Sequence, residues 1–485
     1  MAVTLSEIPV DFRGEIAGVG ELTWGQMGVW RRTRETGRTM NVVVIMPLPE
    51  STALTTIVAS VRFVVSRHPA LRTRLRFVEE PFGQRRPQQV VAGAGHVPLQ
   101  ILDIDTDDDP AAVAEQLRSR YELTWFDYEH EFPVRMGVVR CSGVLLRLVA
   151  GYSHVMTDGA GLEALARDFA HFDQGTGEAT VPARVLDPLR LADVQNGPAG
   201  RRQNDKCMRY WAAQLGRLPV WRLPRPTEPP EPRYAELVLY SPAMALALSA
   251  VAARTRAAST YVLLAAYAVA VARVMGRNPN VALIVVNNRF RPGFADTVGM
   301  VNEPGICVVD VADATFDDVV GRALTAVANA SLHAYYDTRE CERLLEETEA
   351  RRGAPLDVSW HVNDRRGIFK PELDDAGALA PLTPTGLDAA MRDALPRTKL
   401  YWDRRSPVFD GTLFIQVDSS PEPTVAGRTE LDEGLPAVYF EVWADMHHFT
   451  AGTIEAFVRE MEAVVVAAAF DGTVPTGVRD SAAGA

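Results

Sequence analysis

Apolar residues recur every three or four positions through 51–65, at Leu54, Ile57, Val58, Val61, Val64 and Val65. That is the spacing of one helix face, and Ser51 stands where an N-cap belongs. The β-branched run from Met40 to Met46 ahead of it predicts a strand. With Arg67-His68-Pro69-Ala70-Leu71-Arg72-Thr73 behind it, the early order reads strand, helix, strand. A second apolar run, Val144 to Ala150, feeds directly into Gly151-Tyr152-Ser153-His154, and helical periodicity returns over 161–172. His154 is therefore expected on a strand-to-helix turn, where rigid elements on either side fix a side chain.

Periodicity fades over 182–203 and proline thickens over 218–232, which predicts a junction between two halves. The expected division is 1–185 and 206–470, with 186–205 as linker and 471–485 as a loose tail. In the second half, helices are expected near 206–215, 243–256, 261–275, 316–335 and 450–469. Strands are expected near 235–240, 281–286, 357–362, 412–417 and 437–443. Strands and helices alternate in both halves, the pattern of an α/β fold with two related layers.

Composition narrows the picture without redirecting it. A chain of 485 residues exceeds what one core usually supports, which suits two domains. Hydrophobic residues at 47% and charged residues at 23% are those of a globular chain. The longest apolar stretch, 261–274, contains Arg273 and falls short of the roughly 20 residues that cross a bilayer, so it reads as a buried helix with no membrane role. The first twenty residues carry acidic side chains and no apolar core, so no secretory signal is expected and a cytoplasmic location is the default. Cys141, Cys207, Cys307 and Cys341 lie far apart, a spacing that suggests neither a metal site nor a disulfide framework. His447-His448 has no carboxylate at ligand spacing, so no metal is expected there either. A formal charge of -12 disfavours nucleic-acid binding but leaves room for an acidic partner on a local basic patch; Arg31-Arg32 and Arg365-Arg366 read first as solvated surface, and either could contact a partner's phosphate.

The chemistry concentrates at Ser153-His154-Val155-Met156-Thr157-Asp158-Gly159. A histidine there can present a ring nitrogen to reacting groups, an aspartate four residues on can fix the turn through a buried ion pair, and glycine allows close backbone approach. Acyl transfer from a thioester needs a proton removed from the nucleophile and an oxyanion stabilised, and one histidine can serve either purpose. The same pattern also suits a satisfied core histidine in a polar turn, and the turn alone does not decide between them.

Flanking segments supply a context. The turn resembles the His-His-x-x-x-Asp-Gly core of nonribosomal peptide synthetase condensation domains, with Ser153 in place of the first histidine. Leu22-Thr23-Trp24-Gly25-Gln26-Met27-Gly28-Val29-Trp30 is similar to that family's opening Ser-x-Ala-Gln-x-x-x-Trp motif, and 67–73 to its Arg-His-Glu-x-Leu-Arg-Thr motif. Tyr210-Trp211, Asn288-Arg289 at the family's Gly-Arg, and Val298-Gly299-Met300-Val301-Asn302 follow in the family's order, while His333-Ala334-Tyr335-Tyr336-Asp337 is a weaker match.

The resemblance implies two subdomains like chloramphenicol acetyltransferase, arranged as a V-shaped pseudo-dimer around a tunnel. It implies donor and acceptor meeting at His154, the donor carried on the phosphopantetheine of an acyl or peptidyl carrier protein supplied in trans, and the acceptor a small-molecule amine or alcohol. It further implies no bound cofactor, and Asp158 held by an arginine, with Arg289 and Arg72 as candidates. Ser153 and Gly159 would shape the turn. Trp24, Gln26, Asn302, Ser359, His361 and Asn363 are candidate tunnel residues, the last three by two-residue alternation on one strand face, which suits a solvent face equally well.

Three functions stay open at this level. The first is a free-standing condensation enzyme of antibiotic-type secondary metabolism. The second is an acyltransferase using acyl-CoA, although the late Asp-Phe-Gly-Trp-Gly motif of such enzymes is absent. The third is a non-catalytic recruitment module.

Overall fold

The computed structural model describes residues 3–80, 85–182, 186–220, 226–366, 384–419 and 436–480. The chain divides into two units, Met1–Asn204 with Asn287–Asn302, and Asp205–Val286 with Glu303–Ala485.

The first unit runs β1 (Thr4–Arg13), β2 (Gly18–Glu21), α1 (Trp24–Thr36), β3 (Val42–Pro47), α2 (Leu54–Arg67), β4 (Thr73–Glu79), β5 (Arg85–Val91) and β6 (Ala94–Ile104). It continues with α3 (Pro110–Leu123), β7 (Val134–Cys141), β8 (Val144–Tyr152), α4 (Gly159–Phe169) and α5 (Pro188–Asn196), then enters α6 (Pro198–Arg217). Five strands form a sheet in the order β1-β6-β7-β8-β3, and β2-β5-β4 form a smaller one. Pairing is antiparallel except between β6 and β7. Alternate strand residues face opposite sides. Val97, Leu99, Val138 and Ala150 pack with Ile57, Val61 and Val65 of α2 and Leu162 of α4, whereas Leu102, Ile104, Val139 and Val149 pack with Val113, Leu117 and Tyr121 of α3. Helices therefore cover both faces of the larger sheet, and the α/β class is what the chain adopts.

The second unit contributes β9 (Tyr234–Ser241), α7 (Pro242–Thr255), α8 (Ser259–Met275), β10 (Asn280–Val286), β11 (Glu303–Val309), α9 (Phe316–Leu332), α10 (Thr338–Arg352) and β12 (Trp360–Asp364). After these come α11 (Pro384–Ala394), β13 (Lys399–Ser406), β14 (Leu413–Asp418), β15 (Val438–Asp445) and α12 (Ala451–Phe470). Its seven-stranded sheet has the order β11-β10-β12-β14-β15-β9-β13. The apolar stretch at 261–274 falls in α8, whose residues Val262 to Val271 are all buried in the main core of this unit. No single helix among the described residues is long and apolar enough to cross a membrane.

Several expectations need correction. Helix α2 begins at Leu54 with Ala53 as its N-cap, because residues 49–52 close a turn of their own in which Thr52 N donates to the Pro49 carbonyl. The expected linker 186–205 is helical: Asp187 caps α5 through bonds to the amides of Leu189 (2.9 Å) and Arg190 (3.3 Å), and Pro188 occupies its first turn, where a missing N–H costs nothing. The tail is bound as far as it is described. Phe316 N donates to the Val474 carbonyl, Thr476 N to that of Ala314 and Asp313 N to that of Val478, while the Thr476 hydroxyl reaches the Val311 carbonyl at 2.8 Å. Residues 287–302, expected in the second half, cluster with the first unit.

Candidate active site

Strand β8 ends at Tyr152, and the chain turns through Ser153 to Asp158 before α4 begins. The Ser153 carbonyl accepts the amides of Met156 (3.0 Å) and Thr157 (3.2 Å), and its own amide donates to the Pro133 carbonyl at 3.1 Å. Asp158 is the N-cap of α4, in extended conformation, with its carboxylate accepting from the Gly161 amide. The negative charge sits where the positive end of the helix dipole favours it.

Asp158 is fully buried, and each carboxylate oxygen accepts two bonds. Oδ1 takes the Gly161 amide and Arg289 Nη2, both at 2.8 Å. Oδ2 takes the amides of Val301 (3.0 Å) and Asn302 (3.1 Å). This carboxylate has no lone pair left for a substrate proton; it clamps the turn to the arm 287–302. Arg289 is held in turn by the carbonyls of Thr297 (2.9 Å) and Gly299 (3.3 Å). The carboxylate and both terminal nitrogens of the guanidinium are thus paired, which counters the desolvation of their charges, while Arg289 Nε is buried without a partner among the described residues.

Asn288 explains a departure from the Gly-Arg motif. Its backbone lies in the left-handed region at φ 55°, and its side-chain amide donates to the Val301 carbonyl at 2.9 Å. Asparagine is the side chain that best tolerates the geometry glycine usually supplies.

His154 is half-buried. Its Nδ1 lies 2.9 Å from the Thr157 carbonyl, which can only accept, so in the neutral ring Nδ1 carries the proton and Nε2 the lone pair. Ser153 is completely buried, with its hydroxyl 2.8 Å from that of Tyr128.

Arg72, the other candidate partner for Asp158, sits elsewhere in the first unit. Its guanidinium donates to the carbonyls of Ile16 and Ala92, beneath Gly14, whose missing side chain leaves it room. Burial lowers its pKa. The neighbouring Arg67 and His68 join α2 to α4 instead, through Asp168: Arg67 makes two bonds at 2.7 and 2.8 Å, and His68 one at 3.0 Å. Burial alone would push the Asp168 carboxyl up, but the bonds from Arg67 and His68 outweigh it and hold the pKa well below the usual carboxylate range.

Trp24 and Gln26 lie in the first turn of α1, and both are buried. The Trp24 amide is bound by Gln195 at 2.9 Å, and Gln26 closes a capping box with Thr23. Gln26 Nε2 also touches the sulfur of Met156 at 3.5 Å, so α1 braces the turn from below. Of the two, Gln26 is the one that touches the turn, and Trp24 is tied to α5 through Gln195. Asn302 is half-buried, with Oδ1 3.4 Å from Arg289 Nη1. Ser359, His361 and Asn363 belong to the second unit. Ser359 precedes β12 and is bound by Asp357 (2.7 Å) and Thr412 (3.0 Å), whereas His361 stacks on Phe414 at 5.1 Å.

Gly161 and Tyr128 escape the sequence reading. A methyl group on Gly161 would lie 2.5 Å from Thr157 Oγ1 and 3.0 Å from Arg289 Nη2, so this glycine is what admits the arginine. Its position two residues beyond Asp-Gly is the only signal it leaves. Tyr128 leaves none, because its link to Ser153 is a long-range contact.

Comparison with known proteins agrees with this architecture. The family model for the condensation domain matches residues 17–359. A probable nonribosomal peptide synthetase, CymA, of Salinispora arenicola is 27% identical over 342 residues, which is 65% of this chain and 4% of CymA, so the chain spans a small fraction of that relative's length. Among solved structures, the condensation domain of the monacolin K polyketide synthase MokA superposes with a TM-score of 0.70 at 17% identity, covering 96% of this chain and 100% of that one. An X-domain from teicoplanin biosynthesis, solved in complex with OxyB, gives 0.64 at 18%, covering 96% and 97%. The chain belongs to the condensation-domain family.

Proposed function

We propose that this chain is an acyltransferase that forms an amide, or an ester, by moving an acyl or aminoacyl group from a carrier-protein thioester to an amine or alcohol acceptor. The observation that carries the reading is the fixed tautomer of His154: with Nδ1–H held by the Thr157 carbonyl, Nε2 is left as the proton acceptor. Asp158 takes no part in proton transfer, since both of its oxygens are committed. The acceptor nitrogen or oxygen forms a bond to the thioester carbonyl carbon, the carbon–sulfur bond breaks, and the pantetheine thiol leaves. The proton lost by the nucleophile passes to His154 Nε2 and on to the departing sulfur. An α-amine has a pKa of about 8, so its neutral form needs little help at neutral pH, and positioning carries much of the rate.

The test is a mass-spectrometric condensation assay with acyl-loaded carrier proteins, the matching acyl-CoA thioesters, and panels of amines and alcohols. Wild type is expected to use the carrier-bound donor, and H154A to lose about 10²–10⁴ in rate. No product from any donor, or H154A matching wild type, sinks the proposal; preference for acyl-CoA replaces it with the soluble-donor reading. Ser153 in place of the first histidine favours one alternative, a recruitment module, which would show a partner enzyme retained in a pull-down without turnover.

A further inference from the structure

The family's first histidine is a serine here, and the structure shows what stands behind it. Ser153 is completely buried, and its hydroxyl lies 2.8 Å from the hydroxyl of Tyr128, itself buried. The Ser153 carbonyl accepts the amides of Met156 and Thr157, and the Thr157 carbonyl holds His154 Nδ1. A shift at Ser153 therefore reaches the imidazole through two hydrogen bonds. The phenol that grips Ser153 is itself well fixed. The backbone carbonyl of Tyr128 accepts the Leu75 amide at 2.7 Å, and the Tyr128 ring stands edge-on to Trp30 at 5.4 Å, in a cluster that includes Val155 and Met156 of the turn. Arg135 pins the preceding segment by bonds of 2.7 Å to the carbonyls of Thr124 and Trp125.

We infer that Tyr128 is a positioning residue for His154, acting through the Ser153 hydroxyl and the backbone of the turn. A serine side chain is too short to brace the turn alone, and the phenol spans the space that a longer side chain at 153 would fill. Burial pushes the Tyr128 hydroxyl up, so it stays protonated across neutral pH. The inference rests on His154 carrying the chemistry, and its test has one arm that does not.

In the first arm, Y128F, S153A and the double variant are compared with wild type in the condensation assay, with thermal unfolding alongside. Y128F keeps the ring and removes only the hydroxyl. It is expected to lower kcat about tenfold with KM for both substrates within about twofold, as a small misplacement of a catalytic group does. S153A should match it, and the double variant should be no slower than the worse single. In the second arm, nitrogen chemical shifts of His154 report its tautomer, and Y128F should lower the Nδ1–H fraction. Wild-type kcat with unchanged shifts in Y128F, or losses that multiply in the double variant, overturns the inference. If wild type condenses nothing, the proposed function fails while the nitrogen shifts still decide whether Tyr128 sets the ring. Should Y128F fail to fold, S153A carries both arms.

Discussion

Replacing Asp158 by asparagine isolates the charge of the clamp while keeping its shape. The carboxylate meets four donors and no acceptor: Arg289 Nη2 and the Gly161 amide on one oxygen, the Val301 and Asn302 amides on the other. An asparagine has one oxygen and one NH2, so either orientation sets its NH2 against two donors. Two charge-assisted bonds are lost, at about 1.5–3 kcal/mol each. Arg289, whose side chain is 8% exposed, is left without its counterion, and breaking such a pair costs about 3–5 kcal/mol. Both figures describe the same bonds and do not add, so the expected loss is about 3–5 kcal/mol. In a unit of this size that lowers the melting temperature by roughly 10 °C. Urea titration and calorimetry measure it, and chymotrypsin gives a local readout by cutting after Phe290, which is exposed on the arm. The double variant D158N/R289M should lose less than the sum of the singles, since it leaves no orphaned charge. A loss in D158N below about 1 kcal/mol, with wild-type cleavage of the arm, would refute the account of the clamp.

Two glycines should respond oppositely to alanine. G161A drives a methyl group into Thr157 and Arg289 and should cost about 1–3 kcal/mol and most of the condensation activity, whereas G321A, in the middle of α9 with open space around it, should stabilise by about 0.5–1 kcal/mol in the same melts. Because the folded pKa of Asp168 lies below its unfolded value, its contribution is present above about pH 4, the ordinary carboxylate pKa, and is lost as pH falls through the folded value. D168N should therefore lower the urea midpoint most at pH 7, and equal differences at pH 7 and pH 3 would contradict the pairing with Arg67 and His68. S153H should be overpacked against Tyr128 by about 1–3 kcal/mol, with S153H/Y128A recovering part of that on thermal unfolding.

What could be read from the sequence was what local pattern encodes. The apolar run at 144–150 followed by renewed periodicity places the turn and helix α4 correctly, since a strand and a helix there differ only in period. Where polarity breaks the period, the reading fails. Helix α6 carries Arg201, Arg202, Gln203, Asn204 and Asp205 in succession and reads as linker, although Asp187 followed by Pro188 is a start signal for α5. Ser51 offered a cap, but Pro49 had already committed that segment to a turn. The choice between Arg72 and Arg289 was beyond any local rule, because it depends on which buried carbonyls each guanidinium finds: those of Ile16 and Ala92 for one, those of Thr297 and Gly299 for the other. The tail is held mainly by bonds to backbone groups, with the Thr476 hydroxyl and Arg273 among the side-chain partners, and such bonds leave no periodic mark in the sequence.

The arm 287–302 has a bearing on how this protein is made. Val286 and Glu303 pair across the ladder of β10 and β11, so the arm leaves and re-enters the sheet of the second unit at one place while completing the first. A ribosome delivers Asp158 first and Arg289 later, on the order of ten seconds apart at typical rates of synthesis. Until then the carboxylate has neither its counterion nor the amides of Val301 and Asn302, and the turn that carries His154 cannot settle. The first unit is thus finished by residues born inside the second. Cutting the gene between the halves, or exchanging one half for a relative's, separates the aspartate from the residues that fix it unless the arm travels with the turn.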